Sequence, residues 1–517
     1  MFPQSQQVKT LLVPKKLCRS LLANYCSGVP VIERLFTKNF EDMPGPKSLP
    51  FVGTLYKYIP FIGEYSLTRL YETGIKKLEQ YGPLVREEII PGVQMVLVYR
   101  PEDIAKVFQA EGGLYPERRS HLALLKYRQD RSDIYNTGGL LPTNGPDWWR
   151  LRKEFQKVIS KQGNIIDYLE DTDRVVCDFL PLCTQEKFDD FLPLLSRLFL
   201  ELTCLTVFDV RMNSFSEEER KQDSRSSKLI EAALTTNSAI LKLDNGPRLW
   251  RFFETPLYKK MCRAQNYMEE IAIEMVTRKK RDTTICRKKS LLDAYLSNPA
   301  LDEKDIIGMA CDMLLAGIDT TTYTMAFLLY HLGQNPECQE KLRSECLNLL
   351  PDTERAITID NLRKATYAKA VLKETFRLNP VSVGIGRVLQ TGITLSGYYV
   401  PKGTVIVTQN QVTCRRPEYF DDPCSFIPER WLRKNMKNEE ELKTIKTYNP
   451  YLVLPFGHGP RSCIARRFAE QSMLTVLIRM CREFEVTWCG DHLSWKSLLI
   501  NKPDGPIKLH FKKLQRE

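Results

Sequence analysis

The chain has 517 residues, 43% of them hydrophobic, and a formal net charge of +12. That length is ample for a large buried core. Its 15 cysteines are scattered singly with no C-x-x-C pair, which argues against a disulfide framework or a zinc module and for a reducing compartment.

Residues 1–32 carry Lys9, Lys15, Lys16 and Arg19 and no acid; Glu33 is the first. No apolar run there approaches the roughly 20 residues needed to span a bilayer. A basic, acid-free leader with short Leu/Val clusters suits a mitochondrial transit peptide. Residues 1–43 are therefore expected to be transit peptide and leader, and residues 44–517 one folded domain opened by the stiff Met43–Pro50 linker. No later segment reads as a membrane span.

Strands are predicted at Leu84 to Ile90 and Val93 to Tyr99, hinged by Pro91-Gly92. Residues 115–147, rich in Gly and Pro, read as one long irregular segment of the kind that forms lids and binding loops. A helix opens at Trp148, and Arg152 shares its face, so an indole N–H and a guanidinium can converge on one anion. Helical patterns run from Ile165 to Val210 and from Ser227 to Leu243. Between them and the next helix, the loop Asn245 to Phe253 mixes large apolar and basic residues, fitting either a membrane interface or packing between helices. The run Arg278 to Arg281 ends a helix, where cations suit the dipole; it reads as a solvated terminus, not a nucleic-acid patch.

A long helix is predicted from about Asp302 to Leu332, with Ala316-Gly317-Ile318-Asp319-Thr320-Thr321-Thr322 at its centre. Three β-branched hydroxyl residues beside a glycine are poor helix material. Thr320 can back-bond to the Ala316 carbonyl, and an acid beside a hydroxyl can hold water and relay protons. Downstream, Glu374 and Arg377 can pair on one helical face, while Lys369 and Lys373, four apart, repel one another. Arg387 lies in a strand-like run after Pro380, and Arg430 in Pro428-Glu429-Arg430-Trp431. Phe484 to Trp488 and Ile507 to Phe511 look like a hairpin.

The Gly- and Pro-rich loop Leu454 to Ser462 ends in Cys463 at the mouth of a helix predicted from Ile464 to Met480. Gly457, Gly459 and Pro460 permit a tight course with close approach to a flat ligand. A thiolate at a helix N-terminus is stabilised by free N–H groups and is a good axial ligand for haem iron. A lone cysteine before an apolar helix is otherwise a small buried hydrophobe.

In order, these motifs are Trp148-x-x-x-Arg152, Ala316-Gly317-x-Asp319-Thr320-Thr321, Glu374-x-x-Arg377, Pro428-Glu429-Arg430-Trp431 and Phe456-x-x-Gly459-x-Arg461-x-Cys463. The set resembles the cytochrome P450 family over roughly residues 44–512. The resemblance implies a mainly α, triangular fold with small β-sheets and a haem b buried between the Thr320 and Cys463 helices. It implies Cys463 as the iron's thiolate ligand, with Phe456 in the haem loop. Trp148, Arg152, Arg387 and Arg461 would meet the haem propionates, Asp319 and Thr320 would deliver protons, and Glu374, Arg377 and Arg430 would brace the loop. Ala465 departs from the glycine usual two residues after the cysteine.

Lys369 and Lys373, with Arg466 and Arg467, resemble the basic residues that in the mitochondrial branch dock an adrenodoxin-type ferredoxin, itself reduced by a ferredoxin reductase and NADPH. The implied seat is peripheral, on the matrix side of the inner membrane, through Trp250, Phe252 and Phe253. The stretches Arg119 to Leu124, Leu140 to Pro146, Leu200 to Cys204 and Leu498 to Asp504 resemble the ecdysteroid-hydroxylating members of that branch. They imply oxidation of an ecdysteroid precursor at C-22. A detoxifying monooxygenase of broad specificity shares every haem motif, and a haem-binding sensor would not need Asp319 and Thr320.

Overall fold

The computed structural model describes residues 37–514 apart from 112, 114, 185–186, 282–289 and 433–447. The expected transit leader lies outside them over residues 1–36. Within its last residues, Lys38 donates its N–H to the Gly397 carbonyl at 2.9 Å and Phe40 is buried. Residues 38–43, ahead of the Pro-rich linker, thus already pack against the domain.

Helix α1 (Leu70–Tyr81) precedes the antiparallel pair β1 (Leu84–Glu87) and β2 (Met95–Val98), with Pro91-Gly92 between them. Then come α2 (Pro101–Gln109), α3 (Leu122–Gln129) and α4 (Gly145–Ile159). The predicted helical stretch Ile165 to Val210 is divided into α5 (Gln162–Asp167), α6 (Leu169–Phe179), the short strand β3 (Lys187–Phe188) and α7 (Leu192–Phe208). Pro181 removes an N–H donor where a single helix would need one. Next are α8 (Arg225–Asn245), α9 (Pro256–Arg281), α10 (Leu291–Leu296), α11 (Glu303–Gln334), α12 (Pro336–Leu349), α13 (Ile359–Lys364) and α14 (Thr366–Leu378).

The strands β4 (Gly386–Val388), β5 (Ile393–Leu395), β6 (Tyr398–Val400) and β7 (Val405–Thr408) lead to α15 (Asn410–Thr413). The C-terminal part holds α16 (Arg466–Glu483), β8 (Phe484–Trp488), β9 (Trp495–Ser497), β10 (Asn501–Pro503) and β11 (Leu509–Lys513). One sheet has the order β1-β2-β7-β4, in which β2 and β7 run parallel; β8 and β11 pair antiparallel as expected, but as part of the sheet β3-β11-β8 and with β9 and β10 between them in the chain, so they are not a simple hairpin. The strand expected over Val381 to Leu389 contracts to β4.

The 115–147 segment is not irregular throughout, because α3 forms inside it. The reason lies outside its own sequence. No side chain of its own caps α3; the Asp244 carboxylate, at the end of α8, accepts from the Leu122 N–H at 3.0 Å and the Ala123 N–H at 3.3 Å. Those are two of the donors a helix start leaves unpaired.

Helix α11 is the axis of the core. Asp302 and Asp305 form a capping box at its start, and nearly all of its length is buried. The threonine run does not break it: Thr320, Thr321, Thr322 and Thr324 each donate to the carbonyl four residues back, at 2.7, 2.7, 2.8 and 2.7 Å. Gly317 has a packing reason, since a Cβ there would come within 2.9 Å of Thr203 on α7.

Trp250 is not a membrane contact. It is 2% exposed, donates Nε1–H to the Leu243 carbonyl at 2.9 Å and stacks on Tyr258. Of the large apolar residues in this turn, Leu249, Phe252 (85%) and Phe253 (58%) are the exposed ones. Among the described residues no helix is long and apolar enough to cross a membrane.

Candidate active site

The loop before α16 turns at Gly457 (φ +74) and Gly459 (φ +68), both in the region glycine adopts without strain. A Cβ on Gly459 would sit 3.3 Å from a Glu111 carboxylate oxygen. The Cys463 N–H donates to the Phe456 carbonyl at 2.8 Å, closing the loop, and Phe456 packs edge-on against Phe376 of α14. Cys463 remains accessible although protein crowds it on several sides. Burial pushes its thiol up, and the Ala465 N–H and Arg152 oppose this.

Four guanidiniums gather beside this loop. Arg461 lies over the Trp148 ring at 4.3 Å and donates to the Thr143 carbonyl. Arg387 pairs with Glu111 and donates to the His458 carbonyl at 2.9 Å. Arg152 donates to Gln156 at 2.8 Å, and Arg118 donates to the Leu141 carbonyl at 3.0 Å. Burial, then repulsion from Arg118, Arg387 and Arg152, pushes Arg461 down to about 8. Burial pushes Arg152 and Arg118 down to about 10. Nε and Nη1 of Arg461 are buried and find no partner among the described residues. Glu111 is the carboxylate hydrogen-bonded within this cluster, so positive charge is in excess.

Along its central turns, α11 shows a stripe of partial exposure at Met313, Ala316, Gly317 and Thr320 in an otherwise buried run. That i, i+3, i+4, i+7 spacing is one helical face. Asp319 lies off it, fully buried, and accepts from Asn237 Nδ2 of α8 at 2.9 Å. Thr320 and Asp319 thus have separate partners. Burial pushes the Asp319 carboxyl up to about 6, opposed by Asn237, Lys502 and Tyr323. At Asp319, α8 meets α11 and carries the Leu498–Ile500 turn with it. The 115–120 segment joins β4 through Val388 N–H to the Glu117 carbonyl at 2.9 Å. The Leu498–Ile500 turn joins Val381 through Asn501 N–H at 2.8 Å, and α8 through Leu499 N–H to the Asn237 carbonyl at 3.3 Å.

Glu374 and Arg377 form a fully buried pair at 2.7 Å, and Arg430 reaches Glu374 at 3.2 Å. Trp431 Nε1–H and the Ile427 N–H also bond Glu374, at 2.9 and 3.0 Å. Arg377 binds the carbonyls of Cys414, Pro423 and Ser425. Lys369 and Lys373 stand on the exposed side of α14. Lys369 donates to the Arg363 carbonyl at 2.8 Å, and Lys373 lies 4.2 Å over the Trp431 ring. Arg466 pairs with Glu470 at 3.0 Å and Arg467 donates to the Ser160 carbonyl at 3.0 Å.

Sequence reasoning missed Glu111, Arg118, Trp431 and Asn237. Arg118 sits in the segment read as a binding loop, and Trp431 in a motif already singled out. Asn237 carries no local signal.

The donor set suits haem b. Among the described residues no group of three or more His, Cys, Asp or Glu could hold a metal ion by itself, so an iron at Cys463 needs its remaining ligands from a macrocycle. The unpartnered N–H groups of Arg461 and the excess of guanidinium charge match a pair of carboxylates. Comparison with known proteins agrees. The cytochrome P450 family model matches residues 43–509. The chain is 48% identical over 488 residues to cytochrome P450 302a1, mitochondrial, of Drosophila melanogaster, covering 93% of this chain and 97% of that protein. It is 29% identical to the probable cytochrome P450 301a1, mitochondrial, of the same fly over 91% of this chain and 86% of that one. It is 30% identical to the fly's ecdysone 20-monooxygenase over 86% and 84%. The chain belongs to the cytochrome P450 family of haem b monooxygenases.

Proposed function

We propose that this chain is a mitochondrial monooxygenase that hydroxylates the C-22 side-chain carbon of an ecdysteroid precursor, converting 2,22-dideoxyecdysone to 2-deoxyecdysone. Its electrons come from an adrenodoxin-type ferredoxin. The reaction class is carried by one observation: the 140–143 segment joins the Cys463 loop to α11, Arg461 donating to the Thr143 carbonyl and the Leu140 N–H to Asp312, and α11 carries a partly exposed stripe ending at Thr320. The mitochondrial site and substrate class are supported by the 48% identity to a mitochondrial relative and by a further relative named for ecdysone.

Haem b supplies oxygen activation: one O2, two electrons and two protons give one alcohol oxygen and one water. The chain's residues do the rest. Cys463 holds the iron, and Phe456 with its Phe376 contact fixes the loop around it. Trp148, Arg152, Arg387 and Arg461, with Arg118, bind the two propionates. Glu374, Arg377 and Arg430 lock the segment that carries the loop. Thr320 presents its hydroxyl on the stripe, and Asp319, pushed up to about 6, keeps an appreciable protonated fraction near neutrality.

Lys369, Lys373, Arg466 and Arg467 offer positive charge to an acidic ferredoxin. Lys373 and Arg466 are close enough to repel one another, and such repulsion is offset by steering of an acidic partner. The leader ends before the packed residues 38–43, and residues 1–37 act as transit peptide. Exposed Leu249, Phe252 and Phe253, together with exposed Phe51, Phe61 and Ile62, give the domain a peripheral seat on the inner membrane.

Reconstitution with ferredoxin, its reductase, NADPH and 2,22-dideoxyecdysone tests the whole reading. A single C-22 alcohol is the expected product. Weak binding of many unrelated compounds, with no such product, would instead favour a detoxifying enzyme. Reduction by a flavoprotein reductase and not by ferredoxin would remove the mitochondrial assignment.

A further inference from the structure

Asn237 joins three elements at once. It sits in the middle of α8. Its side-chain amide donates to Asp319 Oδ2 at 2.9 Å and more weakly to the Leu315 carbonyl at 3.4 Å, both on α11. Its own carbonyl accepts from Leu499 N–H in the turn before β10 at 3.3 Å. Both Asn237 and Asp319 are buried. The acid is therefore held by a residue whose place is set by α8 and by the 498–500 turn, which meet α11 here.

We propose that Asn237 is a positioning residue that makes Asp319 an effective proton donor only while α8 and the Leu498–Ile500 turn are seated over the pocket. This rests on the proton-delivering role proposed for Asp319. When that carboxyl gives up its proton, the carboxylate left behind is buried. Its stability then depends on the donors aimed at it. The Asn237 amide is such a donor, neutral and already in place. If α8 lifts by an ångström or two, the bond stretches past hydrogen-bonding distance, the buried carboxylate loses its donor, and the acid holds its proton.

The other groups facing Asp319 do not follow α8. Tyr323 lies one turn further along α11, and Lys502 stands on β10 with its ammonium 6.0 Å from the Tyr323 ring. Lys502 itself shares its surroundings with Lys496, Asp190 and Asp504. These supply a field that does not depend on α8. Asn237 supplies the part that depends on closure, so substrate that holds α8 down would commit the enzyme to proton delivery.

The test uses the holoenzyme and Asn237→Leu, which keeps the volume and the backbone carbonyl but removes the amide; Asn237→Ala serves if the leucine variant does not fold. Three quantities are read: product formed per NADPH against pH, substrate dissociation by spectral titration, and the change in melting temperature between about pH 5 and about pH 8. Product per NADPH is expected to fall severalfold with hydrogen peroxide rising. Its pH inflection should move up by about one unit, and the melting-temperature difference should widen. Substrate affinity should stay within about twofold. In an Asp319→Asn background the Asn237 substitution should change none of these further. An unmoved inflection together with an unmoved melting difference overturns the inference, as does an equal loss in the Asp319→Asn background, since Asn237 would then only pack. If Asp319→Asn alone leaves product per NADPH at the wild-type level, the proton-delivery reading itself has failed.

Discussion

The Arg461 guanidinium lies 4.3 Å over the Trp148 ring, joining the cysteine loop to α4 across most of the chain's length. The stack orients a cation whose Nε and Nη1 are buried and unpartnered. A buried unpaired donor costs about 1–3 kcal/mol. Replacing Arg461 with Leu is therefore expected to stabilise the haem-free protein by about 1 kcal/mol and to weaken haem retention. Denaturant unfolding with and without haem should give changes of opposite sign. Two losses would show that Arg461 serves folding and not the cofactor.

Glu374 accepts five hydrogen bonds, from Arg377 twice and from Arg430, Trp431 and Ile427. Glu374→Ala leaves the buried Arg377 without its carboxylate, and breaking such a pair costs roughly 3–5 kcal/mol. The variant should be poorly soluble or melt far below wild type, whereas Trp431→Phe, which removes one bond, should cost about 1 kcal/mol. Equal effects of the two in thermal melts would refute the hierarchy.

Asp319 sets a pH dependence of stability. Its carboxyl is raised from 3.8 to about 6 in the folded chain, so the folded state binds the proton more tightly than the unfolded one. The stabilisation is complete below about pH 4 and is lost as pH rises through about 6, by up to about 3 kcal/mol. Asp319→Asn should flatten this slope and melt higher than wild type near neutral pH. A variant whose slope matches wild type would show that the group titrates normally.

The proposed docking role of Lys369 and Lys373 separates cleanly from their structural one. Both stand on the exposed side of α14, so Lys369→Gln should leave stability within about 0.5 kcal/mol. Lys373→Gln loses a cation–π contact with Trp431 and should cost about 0.5–1 kcal/mol. Either change should weaken ferredoxin binding at low salt, with the difference shrinking as salt rises. Binding by titration that is salt-independent, or unchanged in both variants, would locate docking elsewhere.

The helices and the chemistry-bearing loop were legible in the sequence because their signals are local. Apolar periodicity marked α11, a back-bonding threonine gave the Thr320–Ala316 bond, and the Gly457/Gly459 pair marked the turn before Cys463. What escaped was set by residues remote in the chain. The segment 115–147 reads as loop because α3 takes its N-terminal acceptor from Asp244. Trp250 reads equally as membrane anchor or core until Tyr258 and the Leu243 carbonyl are seen around it. Asn237 sits in an ordinary amphipathic stretch, and nothing near it in sequence announces Asp319.

A helix that borrows its start from a neighbour is not a portable module. Because Asp244 supplies the acceptor for the first turn of α3, residues 118–130 grafted alone into a related scaffold would arrive without the contact that folds them. Exchanging pocket walls between such enzymes therefore requires moving the end of α8 together with α3. Natural divergence of the two segments is likewise constrained to proceed in step.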